Sequence, residues 1–185
     1  MQEVSINKQM KLSEHFTLGE LCKTKHDTED GNIPSRVAIE NLKRICENWL
    51  EDLRYSYNML YVHSGVRPQS KVAGDCTLAP DPGAAPASRK EEPIVINSGY
   101  RSPEVNLLAG GAKTSNHLSG CAVDIRCVGK EQMIRYASIL LDIADGTKQD
   151  YDELLLEQHG NICWLHFAVR PPSQGNRRKI DFLKG

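Results

Sequence analysis

His117 and Asp124 lie seven residues apart in Ser115-Asn116-His117-Leu118-Ser119-Gly120-Cys121-Ala122-Val123-Asp124, and a further histidine follows far downstream in Trp164-Leu165-His166-Phe167. Two imidazoles and one carboxylate are the protein donors of a catalytic zinc centre, whose fourth position stays open to water. On that reading, the rest of the chain is the scaffold that gathers three distant donors. The spacing, with Gly120 inside it, is not the helical H-E-x-x-H arrangement. Residues 122–125 read as a short strand with Ala122 and Asp124 on one face and Val123 and Ile125 on the other. The plainer alternative is a turn that carries a surface histidine and aspartate.

The chain has 185 residues, enough for one domain with an appendage. A formal net charge of -1 with 39% hydrophobic residues gives no electrostatic case for nucleic acid or an anionic membrane. No apolar run has the length of a transmembrane helix, and the polar start Met1-Gln2-Glu3-Val4-Ser5 lacks a signal-peptide core. The expected location is therefore cytoplasmic as synthesised. The six cysteines, Cys22, Cys46, Cys76, Cys121, Cys127 and Cys163, form no C-x-x-C pair. They read as small buried thiols before a disulfide framework. Cys121 and Cys163 sit close to the donors in sequence, which leaves a thiolate ligand as a lesser alternative.

Along the chain, residues 1–12 read as a tail or edge strand. Thr17 and Glu20 have capping-box spacing at a short helix. Residues 35–53 form the clearest helix, with Ala38, Leu42, Ile45, Cys46, Trp49, Leu50 and Leu53 on one stripe. Residues 60–92 are rich in Pro, Gly and Ala and read as an insertion, either a lid or a tolerated excursion. Residues 94–97 form an apolar strand. Ser102 and Pro103 then start a helix that ends near residue 109, which sets Arg101 on a strand-to-helix turn. There Arg101 meets substrate or pairs with a local carboxylate. A helix over residues 130–144 precedes two strands, 151–156 and 162–169, which form a hairpin. A two-residue turn at His159-Gly160 would set Glu153 opposite His166, with Glu157 on the same face nearer the turn. The tail, residues 171–185, is basic and reads as loosely packed. The element order indicates an α+β fold: a small antiparallel sheet flanked by helices.

Ser98-Gly99-Tyr100-Arg101-Ser102, the S-x-H-x-x-G-x-A-x-D of residues 115–124 and the W-x-H of residues 164–166, in that order, resemble the zinc D-Ala-D-Ala carboxypeptidases. This is family fifteen of the metallopeptidases, with a fold related to the hedgehog signalling domain. Phe16-Thr17-Leu18-Gly19-Glu20-Leu21, Asn32-Ile33-Pro34 and Asn41-Leu42 are similar to its small single-domain branch in bacteria and phages. The likeness spans residues 13–170 apart from the insertion, within one domain over residues 1–185. It implies one Zn2+ ion held by His117, Asp124 and His166. It also implies a substrate contact at Arg101, with Tyr100 and Ser115 of the same motifs beside it. The catalytic glutamate is implied at Glu157, with Glu153 as the alternative where a glutamine is expected. Many relatives carry glutamate three residues before the last histidine, where this chain has Cys163.

The implied activity is hydrolysis of a peptidoglycan stem peptide by metal-activated water, as a D-Ala-D-Ala carboxypeptidase or an endolysin-like endopeptidase. The expected protein is a monomer that reaches the cell wall after release, without a nucleic-acid partner. Cys163 feeds the competing expectation of a zinc-binding, non-catalytic hedgehog-like domain with a structural or partner-binding role. A protein of unrelated function with fortuitous motifs is the third.

Overall fold

A computed structural model of the chain describes residues 7–63 and 90–185. The insertion expected at 60–92 falls mostly outside those residues, as do Cys76 and the first half of the expected N-terminal tail. The helices are α1 (Leu18–Leu21), α2 (Arg36–Ile45), α3 (Glu51–Tyr57), α4 (Pro103–Leu108) and α5 (Gly129–Thr147). The strands are β1 (Ile96–Ser98), β2 (Ala122–Cys127), β3 (Glu153–His159), β4 (Ile162–Ala168) and β5 (Lys179–Lys184). π-helical turns at Cys46–Leu50 and Asn58–His63 join and extend α2 and α3, and a 3-10 turn covers Asn116–Ser119.

The local signals act as the residue types require. Thr17 caps α1 in a reciprocal capping box with Glu20. Ser35 caps α2, and Ser102 caps α4 with Pro103 in its first turn. The helical run from α2 continues past the expected end at residue 53. Tertiary bonds hold the extension: Asn58 accepts from the Glu92 N–H and donates to the Glu92 and Arg54 carbonyls.

The sheet has the order β1-β2-β4-β3-β5. Its first four strands are antiparallel, as expected, but β5 runs parallel to β3, so the sheet is mixed. The tail is therefore not loose. Its arginines pair while staying exposed: Arg177 with Asp152, and Arg178 with Asp145 and Asp150. The β3–β4 hairpin turns at Gly160 and Asn161, with His159 opposite Ile162. Glu153 thus faces Ala168, and Leu155 takes the expected place opposite His166. Gly160, at φ 56, occupies the left-handed region that a tight hairpin turn needs.

The alternation of strand residues divides the sheet into two surfaces. Val123, Ile125, Leu154, Leu156, Leu165 and Phe167 enter the hydrophobic core with Leu42, Ile45, Trp49, Leu53 and Leu140 from the helices. Trp49 packs on Phe167 with ring centroids 4.9 Å apart. The other surface carries Asp124, Glu153, Glu157 and His166. Cys22, Cys46, Cys121, Cys127 and Cys163 are free thiols, buried except for the half-buried Cys22.

Gly120 joins the 3-10 turn to β2 at φ 68, and a Cβ there would lie 2.4 Å from the Ala38 carbonyl oxygen. Left-handed backbone and a rigid backbone neighbour both oppose a side chain. We expect Gly120→Ala to destabilise the protein by about 2–4 kcal/mol. Urea unfolding would register this as a lower midpoint at unchanged slope; a wild-type midpoint would mean that the turn relaxes freely.

Candidate metal centre

His117 sits on the 3-10 turn that precedes β2. The Ser115 hydroxyl accepts the His117 N–H at 3.3 Å, and the Arg101 N–H donates to the His117 carbonyl. Asn41 of α2 donates to the Ser119 carbonyl at 2.9 Å, which moors the turn to the helix. The ring is fixed in turn. Its Nδ1 lies 2.5 Å from the Gly99 carbonyl, which can only accept, so Nδ1 donates there and Nε2 is the nitrogen turned toward Asp124 and His166.

Asp124 of β2 and His166 of β4 are direct cross-strand partners. Three donor atoms therefore converge. His117 Nε2 lies 3.2 Å from Asp124 Oδ1 and 3.2 Å from His166 Nδ1, and His166 Nδ1 lies 2.9 Å from Asp124 Oδ1. A tetrahedral zinc site with ordinary bond lengths separates its donors by about 3.3 Å. The triangle is close to one face of that tetrahedron, and its donor set is the borderline-soft mixture that zinc prefers. All three residues are buried, and among the described residues this is the group that could hold a metal ion.

The neighbours of the triangle are specific. Arg101 donates through Nη2 to Asp124 Oδ2 and through Nε to Ser98 Oγ, the latter at 2.8 Å. The sequence left Arg101 either a substrate contact or a local ion pair; its structural partner is the metal-facing carboxylate itself. Burial would raise the Asp124 carboxyl, but the charges and hydrogen bonds of His117 and His166 hold it far below the usual carboxylate range.

The two candidate bases flank the Leu155–His166 pair along β3 and have unlike surroundings. Glu153 Oε2 lies 3.6 Å from His166 Nε2 and accepts from Asn116 Nδ2 at 3.0 Å, while Arg177 meets its other oxygen at 2.9 Å. The His166 contact, opposed by partial burial and aided by Arg177, holds its carboxyl at about 2. Glu157 sits opposite Trp164 on the same face. Burial first, then the Asp124 charge, push its carboxyl above the usual range.

Tyr100 lies in the hydrophobic core, where burial raises its phenol. Ser115 serves as the cap of the His117 turn. Cys163 is three residues from His166 in an unbroken strand, so it faces the core across from Cys127. Cys121 makes a long contact with the Ser119 carbonyl at 3.8 Å.

Sequence reasoning missed Gly99, Asn116, Asp152 and Arg177. Gly99 contributes a backbone carbonyl, which leaves no trace in residue type. Asp152 is fully buried and is held by Asn116, Arg170 and Arg177. Its place next to Glu153 was the available signal.

Residues 87–150 match the family model described as Peptidase M15. A comparison with curated proteins gives no match. The match agrees with the family that the motifs suggested and supports a peptidase. It includes Arg101, His117 and Asp124 and stops before His166, which the β2–β4 pairing brings to them.

Burial alone would lower His166, but Asp124 and Glu153 push it up to about 9. A metal must displace that proton. Zinc affinity should therefore rise about tenfold per pH unit from neutrality and flatten above about 9. The metal-free protein should show the opposite trend. A histidine raised in the folded state stabilises below its ordinary value near 6.5, and that stability is lost as pH rises toward 9. Chelator competition and melting curves of metal-free protein check both signs; an affinity flat with pH would contradict the assignment of His166 as a donor.

Proposed function

We propose that the protein is a zinc-dependent peptidase that hydrolyses peptidoglycan stem peptides, as a D-Ala-D-Ala carboxypeptidase or an endolysin-like endopeptidase. The observation that carries this reading is the triangle of His117, Asp124 and His166, with edges of 2.9 to 3.2 Å, beside a carboxylate on the same sheet face. A zinc ion held there supplies Lewis acidity, which acidifies water towards a pKa of ~7 and polarises a carbonyl.

The residues around it divide the remaining work. Glu157 is the base: its raised carboxyl moves toward the range in which a carboxylate accepts a proton and returns it to a leaving amine. Glu153 is tied to His166, Asn116 and Arg177, so it orients the histidine ring instead. Arg101 spends Nε on Ser98 and Nη2 on Asp124. Its Nη1 group is left for a substrate carboxylate or the developing oxyanion. Among the described residues, no helix is long and apolar enough to cross a membrane. We propose that the protein acts as a monomer at the wall after release from the cytoplasm.

The second reading is a zinc-binding domain without hydrolysis, favoured by the thiol of Cys163 where many relatives keep a carboxylate. The orientation of Cys163 toward the core, with Glu157 on the site face, argues for a base supplied from β3.

Zinc-loaded Glu157→Gln should lose about 10²–10⁴-fold in kcat on wall peptides with little change in zinc affinity. Glu153→Gln should weaken zinc binding by about 10–100-fold, with a smaller loss of turnover once saturated. Amine release from purified peptidoglycan and chelator competition separate the two. Wild-type turnover in Glu157→Gln would move the base elsewhere. A zinc-loaded wild type that cleaves no wall peptide would favour the non-catalytic reading.

A further inference from the structure

Two openings lie at opposite ends of the strand order, one beside β3 and β5 and one beside β1. On the β3 side a groove of about 540 Å³ is lined by Glu157, Trp164 and Phe182, with Lys184 at its end. On the β1 side a cavity of about 460 Å³ is lined by Lys23, Lys25, His26, Arg101 and Arg126, and no carboxylate is among its lining residues. Arg126 alternates with Asp124 along β2 and so projects from the same face. Lys23, Lys25 and Arg126 are exposed and have no ion-pair partner among the described residues. Arg101 lines this cavity and its side chain bonds Asp124, so the cavity adjoins the candidate metal centre through this residue.

Unpaired cations around one cavity create a positive potential that a neutral group does not exploit. The opposite groove cannot serve the same purpose, because an anion there would meet the carboxylate of Glu157. We propose that Lys23, Lys25 and Arg126 form a subsite for a free carboxylate of the peptide substrate, apart from the Arg101 contact with the reacting group. The protein is then selective for acidic peptides over their carboxamide counterparts. This inference rests on the peptidase reading and specifies its substrate class.

An exposed ion pair contributes well under a factor of ten, and three cations together should give roughly a tenfold preference for the acid. The probes are two synthetic stem pentapeptides that differ only in a free side carboxylate or its carboxamide. Wild type should show the preference in kcat/KM at low salt, and it should shrink toward unity at about 0.5 M salt. In Lys23→Gln/Lys25→Gln/Arg126→Gln the ratio should fall to about one while zinc uptake stays unchanged, which marks the variant as folded. An equal kcat/KM for both peptides in wild type, or a ratio that survives the triple substitution, overturns the subsite. If neither peptide is cleaved, the peptidase reading fails by itself. Calorimetric affinities of the two peptides for zinc-loaded wild type then decide the subsite on the same criterion: tighter binding of the acid supports it, and equal binding refutes it.

Discussion

The six-residue ladder between β2 and β4 sets Asp124 directly across from His166. Two of the three donors are thereby positioned by backbone hydrogen bonds, and the third is a turn away. Pairing of this kind is all or none. A slip of β2 by one residue would turn Asp124 into the core and bring Val123 and Ile125 out to solvent, and a slip of β4 would do the same to His166, Leu165 and Phe167. Burying each of those large side chains contributes about 1.5–3 kcal/mol, so the helices that cover them also fix the register. The hydrophobic core thus sets the spacing of the polar atoms on the opposite surface, without touching them.

The electrostatics of the centre follow from that enforced proximity. A buried carboxylate is costly unless paired. Asp124 divides its oxygens, one toward the two histidines and the other toward Arg101. A proton on His166 balances the site when no metal is bound, and a divalent ion takes over that role when one is. The Gly99 carbonyl engages His117 Nδ1, so Nε2 is the nitrogen this ring offers to a metal. The arrangement is organised before any metal arrives, because each ring is oriented by its second nitrogen.

Much of this was legible in the chain itself. The donors are polar residues at strand and turn positions where packing alone would not select them, and the caps at Thr17, Ser35 and Ser102 are local chemistry. The α+β class follows from the order of periodic segments. The hairpin register was read one residue too early, because His159-Gly160 and Gly160-Asn161 are both acceptable two-residue turns. Cross-strand packing, not turn chemistry, selects the second. The parallel β5 left no signal either, since its strand is exposed throughout and its entry is a run of arginines. Those arginines find carboxylates on α5 and at the start of β3, and such pairings depend on where the chain returns in space.

That return bears on the chemistry. Glu153 and Glu157 are the same residue type on the same sheet face, each two positions from Leu155. Nothing in either side chain distinguishes an orienting role from a basic one. The difference comes from their neighbours. Arg177, at the entry to β5, and Asn116, beside His117, meet Glu153 and hold it ionised against His166. Glu157 lies further along β3, beyond their reach, and keeps a carboxyl raised by burial and by Asp124. A tail that pairs with β3 in parallel therefore does more than close the sheet edge. On the proposed reading, by engaging one glutamate it leaves the other as the group that exchanges a proton.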